Sequence, residues 1–230
     1  MGRGQIAPDK TSIKQKGDSL KAREELIFAM NRSALLDSNG KRDLQLDKEM
    51  ELAIELVSQY MNREPKFEIK EGFRFNKGLW ICGNFGSGKT LLLKSYKEAV
   101  KNLYGLEVGF QSCSDMNSRY LKRNEMTRQL DLFDGIKMFC NKFESKERIF
   151  DDLGEEETYV MDYGNKVCLM AHILSERYKG LRNGSVTHIT TNLTMDQVSN
   201  IYGGRIESRI SEMFNVIKLG SKSDSKDYRK

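Results

Sequence analysis

Eight consecutive residues, Gly83, Asn84, Phe85, Gly86, Ser87, Gly88, Lys89 and Thr90, have the spacing GxxxxGK[ST]. Glycines in such a run let the backbone curl until successive N–H groups point at one anion. A lysine then adds a point charge beside the β- and γ-phosphates, and a threonine hydroxyl can ligate Mg²⁺. The chemistry expected of these residues, with Leu91 following, is ATP binding. A glycine turn that binds nothing is the alternative, and context counts against it. The apolar run Leu79 to Cys82 reads as a strand entering the loop. Thr90 onward reads as a helix leaving it, so a helix N-terminus faces the anion.

A phosphate loop of this kind works with a carboxylate at the end of a neighbouring strand. The segment Arg148-Ile149-Phe150-Asp151-Asp152 provides one. Asp151 is expected to hold Mg²⁺ together with Thr90, and Asp152 to polarise the attacking water, because phosphoryl transfer depends on positioned groups. Glu155, Glu156 and Glu157 extend the charge, so an acidic surface loop is the rival reading. The intact phosphate loop decides for the metal role.

Other chemistries find less support. Cys82, Cys113, Cys140 and Cys168 are scattered with no CxxC pair, which argues against a zinc site and for a reducing compartment. Two histidines, His172 and His188, are a poor basis for a Ser-His-Asp hydrolase. No apolar run is long enough to cross a bilayer and the N-terminus lacks a signal-peptide core, so the expected location is cytoplasmic with no membrane partner. A net charge of +5 tolerates a polyanion without requiring one.

Positioning the loop and the carboxylate takes a parallel sheet. Strand patterns at Leu79 to Cys82, Glu107 to Gln111, Arg148 to Phe150, Ser185 to Thr191 and Asn215 to Leu219 alternate with helical ones. The helical patterns are Lys89 to Leu103, Ser114 to Asn124 with Ser114 as cap, Leu130 to Phe143, Tyr163 to Tyr178, Met195 to Ile201 and Gly204 to Met213. Such alternation predicts a three-layer α/β fold, with a parallel sheet covered on both sides. Residues 1 to 45 read as a helical arm, whose pattern at 19 to 36 includes Leu20, Ile27, Leu35 and Leu36. Residues 46 to 230 read as the ATPase domain. The aromatic cluster Phe67, Phe73, Phe75 and Trp80 reads as core, with Phe73 or Phe75 near the adenine as the alternative.

The series GLWICGNFGSGKT, RIFDDLGEE, THITTNL, YGGRIESRI and KDYRK, in that order, resembles the AAA+ ATPases of the DnaC/IstB group. These are helicase loaders of bacteria and phages, and helper ATPases of transposition. The resemblance covers about residues 70 to 230. It implies that Asn192 senses the γ-phosphate and that Arg209 is an arginine finger reaching the ATP of a neighbouring copy. It also implies that Arg229 touches phosphate within its own copy. Read from spacing alone, Asn192 could cap a turn, Arg205 and Arg209 could pair with Glu212, and Arg229 could fray with the terminus. Two departures stand out. Asp152 occupies a position that is often Glu, which suggests slow turnover. The sequence also stops after DYRK, so no C-terminal lid domain is expected.

The same resemblance implies contact with single-stranded DNA. Arg119, Tyr120, Lys122, Arg123 and Arg128 form a basic segment with an aromatic in it, the types a strand-tracking groove uses. A solvated helix face is the alternative. The function expected is loading of a replicative DNA helicase onto single-stranded DNA, with the helicase captured by the arm and self-assembly through Arg209 in trans. A transposition helper acting on duplex DNA with a transposase is the near alternative. A P-loop kinase acting on a small molecule or nucleotide, and a nucleotide-gated binding protein, are the alternatives of a different class.

Overall fold

Strand β1 (Gly78–Gly83) places Leu79 and Ile81 in one apolar cluster and Trp80 and Cys82 in another. A strand buried on both faces must lie inside a sheet with helices above and below. The computed structural model, which describes residues 19–37, 44, 46–122, 136–137, 139–140, 146–162 and 164–220, has that arrangement. Five parallel strands run in the order β2 (Gly109–Ser112), β3 (Glu147–Leu153), β6 (Val186–Thr191), β1 and β7 (Phe214–Leu219). The three-layer P-loop architecture expected from the sequence is the one found.

One face is covered by α1 (Ser19–Asp37), α2 (Lys48–Met61), α3 (Pro65–Ile69) and α4 (Lys89–Tyr104), packed around Leu79, Ile81, Ile149 and Ile217. The other is covered by α5 (Met116–Leu121), α6 (Leu169–Lys179), α7 (Met195–Tyr202) and α8 (Gly204–Met213), around Trp80, Phe150, Ile189 and Phe214. Local signals account for the helix starts. Asp47 accepts the Met50 N–H at 2.8 Å ahead of α2, and Thr194 with Gln197 forms a capping box ahead of α7.

Helix α1 lies on α4 and α2, with Ala22, Leu26, Ala29 and Met30 buried. Arg32 pairs with Glu98 at 3.0 Å, and Asn102 donates to Glu25 at 2.8 Å. The pattern residues Leu20, Leu35 and Leu36, with Phe28, stay on its exposed side.

Two expectations are corrected, and the core reading of the aromatic cluster holds. The helix predicted over Tyr163 to Tyr178 begins only at Leu169; before it, β4 (Val160–Asp162) and β5 (Asn165–Val167) form an antiparallel hairpin. Val160 and Val167 pair inward while Met161 and Lys166 pair outward, a period of two, and Gly164 takes the turn at φ +79°. Ser114 does not cap α5. Its hydroxyl pairs with Ser112 at 2.8 Å, and Asp115 is the residue at the helix start. Phe73 and Phe75 stack on Phe67 near the N-terminal end of β1, the end away from the phosphate loop. Most of the pattern Leu130 to Phe143 lies outside the described residues.

Candidate nucleotide site

In a parallel sheet every strand delivers its C-terminal end to the same edge, and ligands bind in the crevice there. Gly83 at the end of β1, Asp151 near the end of β3 and Asn192 just past β6 all reach that edge. Strand β6 lies between β3 and β1, so Asp151 and the loop stand about two interstrand spacings apart, roughly 10 Å. A nucleotide's phosphates and one hydrated cation fit such a gap.

Backbone geometry builds the cradle. Gly83, Gly86 and Gly88 have φ of +144°, +76° and +83°. At Gly83 a Cβ would also meet the Leu219 carbonyl oxygen at 1.7 Å, so only glycine fits. Gly88 starts α4 without a side-chain cap, which leaves the first N–H groups of a 16-residue helix directed at the loop. Lys89 is buried and donates to the Gly83 carbonyl at 3.0 Å, the Asn84 carbonyl at 2.7 Å and Ser87 Oγ at 3.4 Å. Asn84 in turn donates to the Gly220 carbonyl at 2.5 Å, tying the loop to the end of β7. Phe85, in the loop, is 63% exposed. Thr90 and Leu91 are half-buried in the first turn of α4.

Across the gap, Asp151 is buried and its carboxylate Oδ1 accepts the Thr190 hydroxyl at 2.6 Å. Asp152 follows at φ +56°, outside the strand conformation. Asn192 donates from Nδ2 to Glu155 at 3.3 Å, while its Oδ1 is buried without a hydrogen-bond partner. Two thiols report the local field. Burial pushes Cys113 well above the ordinary thiol range, and the charges of Glu156, Asp151 and Asp152 push it further. Cys82 is also raised by burial, but there Lys218 and Lys89 pull the other way. The β3 side of the crevice is therefore electronegative, suited to a cation, and the loop side electropositive, suited to phosphate. The orphaned Asn192 Oδ1, the uncapped start of α4 and a loop whose Gly83 admits no Cβ fit ATP and Mg²⁺. Lys89 and the loop N–H groups would hold phosphate; Thr90 and Asp151 would hold the metal.

The fold as a whole resembles known structures. The DnaC helicase loader superposes with a TM-score of 0.56 at 23% identity, covering 77% of this chain and 93% of that one. DnaI gives 0.54 at 22%, covering 82% and 93%. AMPPCP-bound DnaA from Aquifex aeolicus gives 0.53 at 16%, covering 79% of this chain and 50% of that one. The chain shares its fold with these structures. No family model and no curated relative matches the sequence.

The remaining expected residues are spread more widely over the fold. Arg209, on α8, lays its guanidinium 4.3 Å from the Tyr178 ring centroid and donates to Ser175 Oγ at 3.4 Å. Tyr178 donates to Glu212 at 2.9 Å, so the seat of Arg209 on α6 is itself held. Arg119 on α5 and Lys122 just past its end are exposed. Tyr120 is corrected from a stacking ring to a core residue. It is fully buried, packs edge-on against Phe139 and donates to Asp162, because α5 turns Met116, Asn117 and Tyr120 inward. Arg123, Arg128 and Arg229 lie outside the described residues. Sequence reasoning missed Thr190, Ser175, Tyr178 and the link from Asn84 to Gly220, whose partners lie on other elements.

Proposed function

We propose that this protein uses ATP to load a replicative DNA helicase onto single-stranded DNA. The observation that carries the reading is the convergence of the phosphate loop, Asp151 and the orphaned Asn192 on one sheet edge, in a fold shared with the DnaC helicase loader along most of its length. Lys89 exchanges its loop carbonyls for phosphate oxygens. Asp151 and Thr90 would hold Mg²⁺, which would neutralise charge on the phosphates. Asn192 senses the γ-phosphate, and Asp152 polarises the attacking water. Arg209 leaves its seat on Tyr178 to reach the ATP of a neighbouring copy, so that hydrolysis follows assembly. Arg119 and Lys122 contact the strand's phosphates. The exposed Leu20, Phe28 and Leu35 side of α1 is the surface for the helicase, its buried side being already spent on α4.

The test is ATP hydrolysis with no DNA, with single-stranded DNA and with duplex DNA, beside Arg209→Ala. Stimulation by single-stranded DNA that Arg209→Ala abolishes while ATP binding persists is the expected result. Stronger stimulation by duplex would point to a transposition helper. Phosphate transfer to a small acceptor instead of water would overturn the ATPase reading.

A further inference from the structure

Strands β3 and β6 pair regularly from Glu147 opposite Val186 to Phe150 opposite Ile189, and then the register slips. The next pair is Leu153 with Thr191, so Asp151 and Asp152 together face one residue, Thr190. This is a β-bulge, and it falls on the two carboxylates of the site. Asp152 lies at φ +56°, a conformation that costs a non-glycine residue about 1 kcal/mol or more. The bulge takes the Asp152 N–H out of the regular ladder, and a buried N–H needs a partner.

Thr190 is that partner. Its Oγ1, fully buried, accepts the Asp152 N–H at 2.7 Å and donates its own proton to Asp151 Oδ1 at 2.6 Å. The direction of both bonds is fixed, because an N–H can only donate and a carboxylate only accept. One hydroxyl thus closes the bulge and orients the metal-binding carboxylate. We infer that Thr190 is a positioning residue of the nucleotide site, holding Asp151 Oδ1 so that Oδ2 is presented to the Mg²⁺ shell and turning Asp152 out of the strand. This rests on Asp151 as the metal carboxylate. Thr191 next door bonds the Leu153 carbonyl at 2.6 Å and the Leu193 N–H at 3.1 Å, so its hydroxyl serves the backbone alone.

The experiment is binding of a fluorescent ATP analogue as Mg²⁺ is titrated, and again in EDTA, for wild type, Thr190→Val, Thr190→Ser and Asp151→Asn. Thr190→Val keeps the branched shape and deletes the hydroxyl. It should raise the Mg²⁺ concentration for half-maximal binding about tenfold and leave affinity in EDTA unchanged, with Thr190→Ser close to wild type. If Asp151→Asn shifts the titration and Thr190→Val does not, the positioning role is wrong while the metal site stands. If Asp151→Asn itself causes no shift, the metal reading fails first. Equal shifts in Val and Ser variants would assign the effect to packing and overturn the inference. Should Thr190→Val not fold, Thr190→Ala against Thr190→Ser carries the same comparison, since both lose the methyl and differ in the hydroxyl.

Discussion

The two ends of the sheet both bury polar groups, and they treat them oppositely. At the N-terminal end one set of buried groups satisfies itself. His188, fully buried, accepts the Leu79 N–H on Nδ1 at 3.1 Å, so its proton sits on Nε2 and is donated to Glu147 at 2.8 Å. Tyr96 donates to the same carboxylate. Arg177, buried, donates to Thr187 at 2.8 Å and to the Val186 and Lys146 carbonyls, binding the starts of β6 and β3 together. Asn215 accepts the Arg74 N–H at 2.8 Å and donates to the Arg74, Lys77 and Gly78 carbonyls at 2.9, 3.2 and 3.1 Å. At the C-terminal end Asn192 Oδ1 is orphaned, α4 begins without a side-chain cap and Asp152 is strained. Closed networks hold the fold, whereas open ones wait for a ligand.

Substitutions should separate the two ends. The largest effect is expected at Lys89. Lys89→Ala should lower ATP hydrolysis by about a thousandfold, measured by phosphate release, with little change in the melting midpoint. A large loss of stability instead would erase the distinction. Asn215→Leu should do the reverse. It leaves the Arg74 N–H unpaired and takes one donor from each of three carbonyls, costing about 2–3 kcal/mol in urea unfolding, while the folded protein keeps its nucleotide affinity.

Glu147 sharpens the contrast through pH. Burial pushes its carboxyl up, but the His188 and Tyr96 bonds and nearby positive charge outweigh that, leaving it below the usual range. Its stabilisation is therefore present above the unfolded value of about 4.3 and lost as pH falls through the lower folded value. Glu147→Gln should cost about 1–2 kcal/mol near neutrality and flatten the acid limb of stability against pH. An unchanged acid limb would remove Glu147 from the network. The smallest effect is a gain: Asp152→Gly should stabilise the fold by about 1 kcal/mol in the same urea assay while slowing hydrolysis.

The phosphate loop was legible in the sequence because its chemistry is local, eight neighbours in one turn. Asp151 was legible because a strand end is a local pattern too. Thr190 was not, because its partners come from a register slip between strands 39 residues apart in sequence. Its β-branched run reads only as strand propensity. Tyr120 was misread because composition gives charge but not which side of a six-residue helix faces inward. The β4–β5 hairpin was hidden by Val167, whose spacing from Met170, Ala171 and Leu174 continues a helical pattern backwards through a turn. The far-end network was invisible for a related reason. His188 and Asn215 are ordinary strand residues until the sheet brings Leu79 and Arg74 beside them.

The Asn84 bond to Gly220 also sets a leash. Gly220 at φ +69° is so close that a Cβ there would stand 3.0 Å from Ser87 Cβ, so the chain leaves β7 from the rim of the phosphate cradle. Any movement of the loop is thereby tied to the end of an edge strand of the sheet.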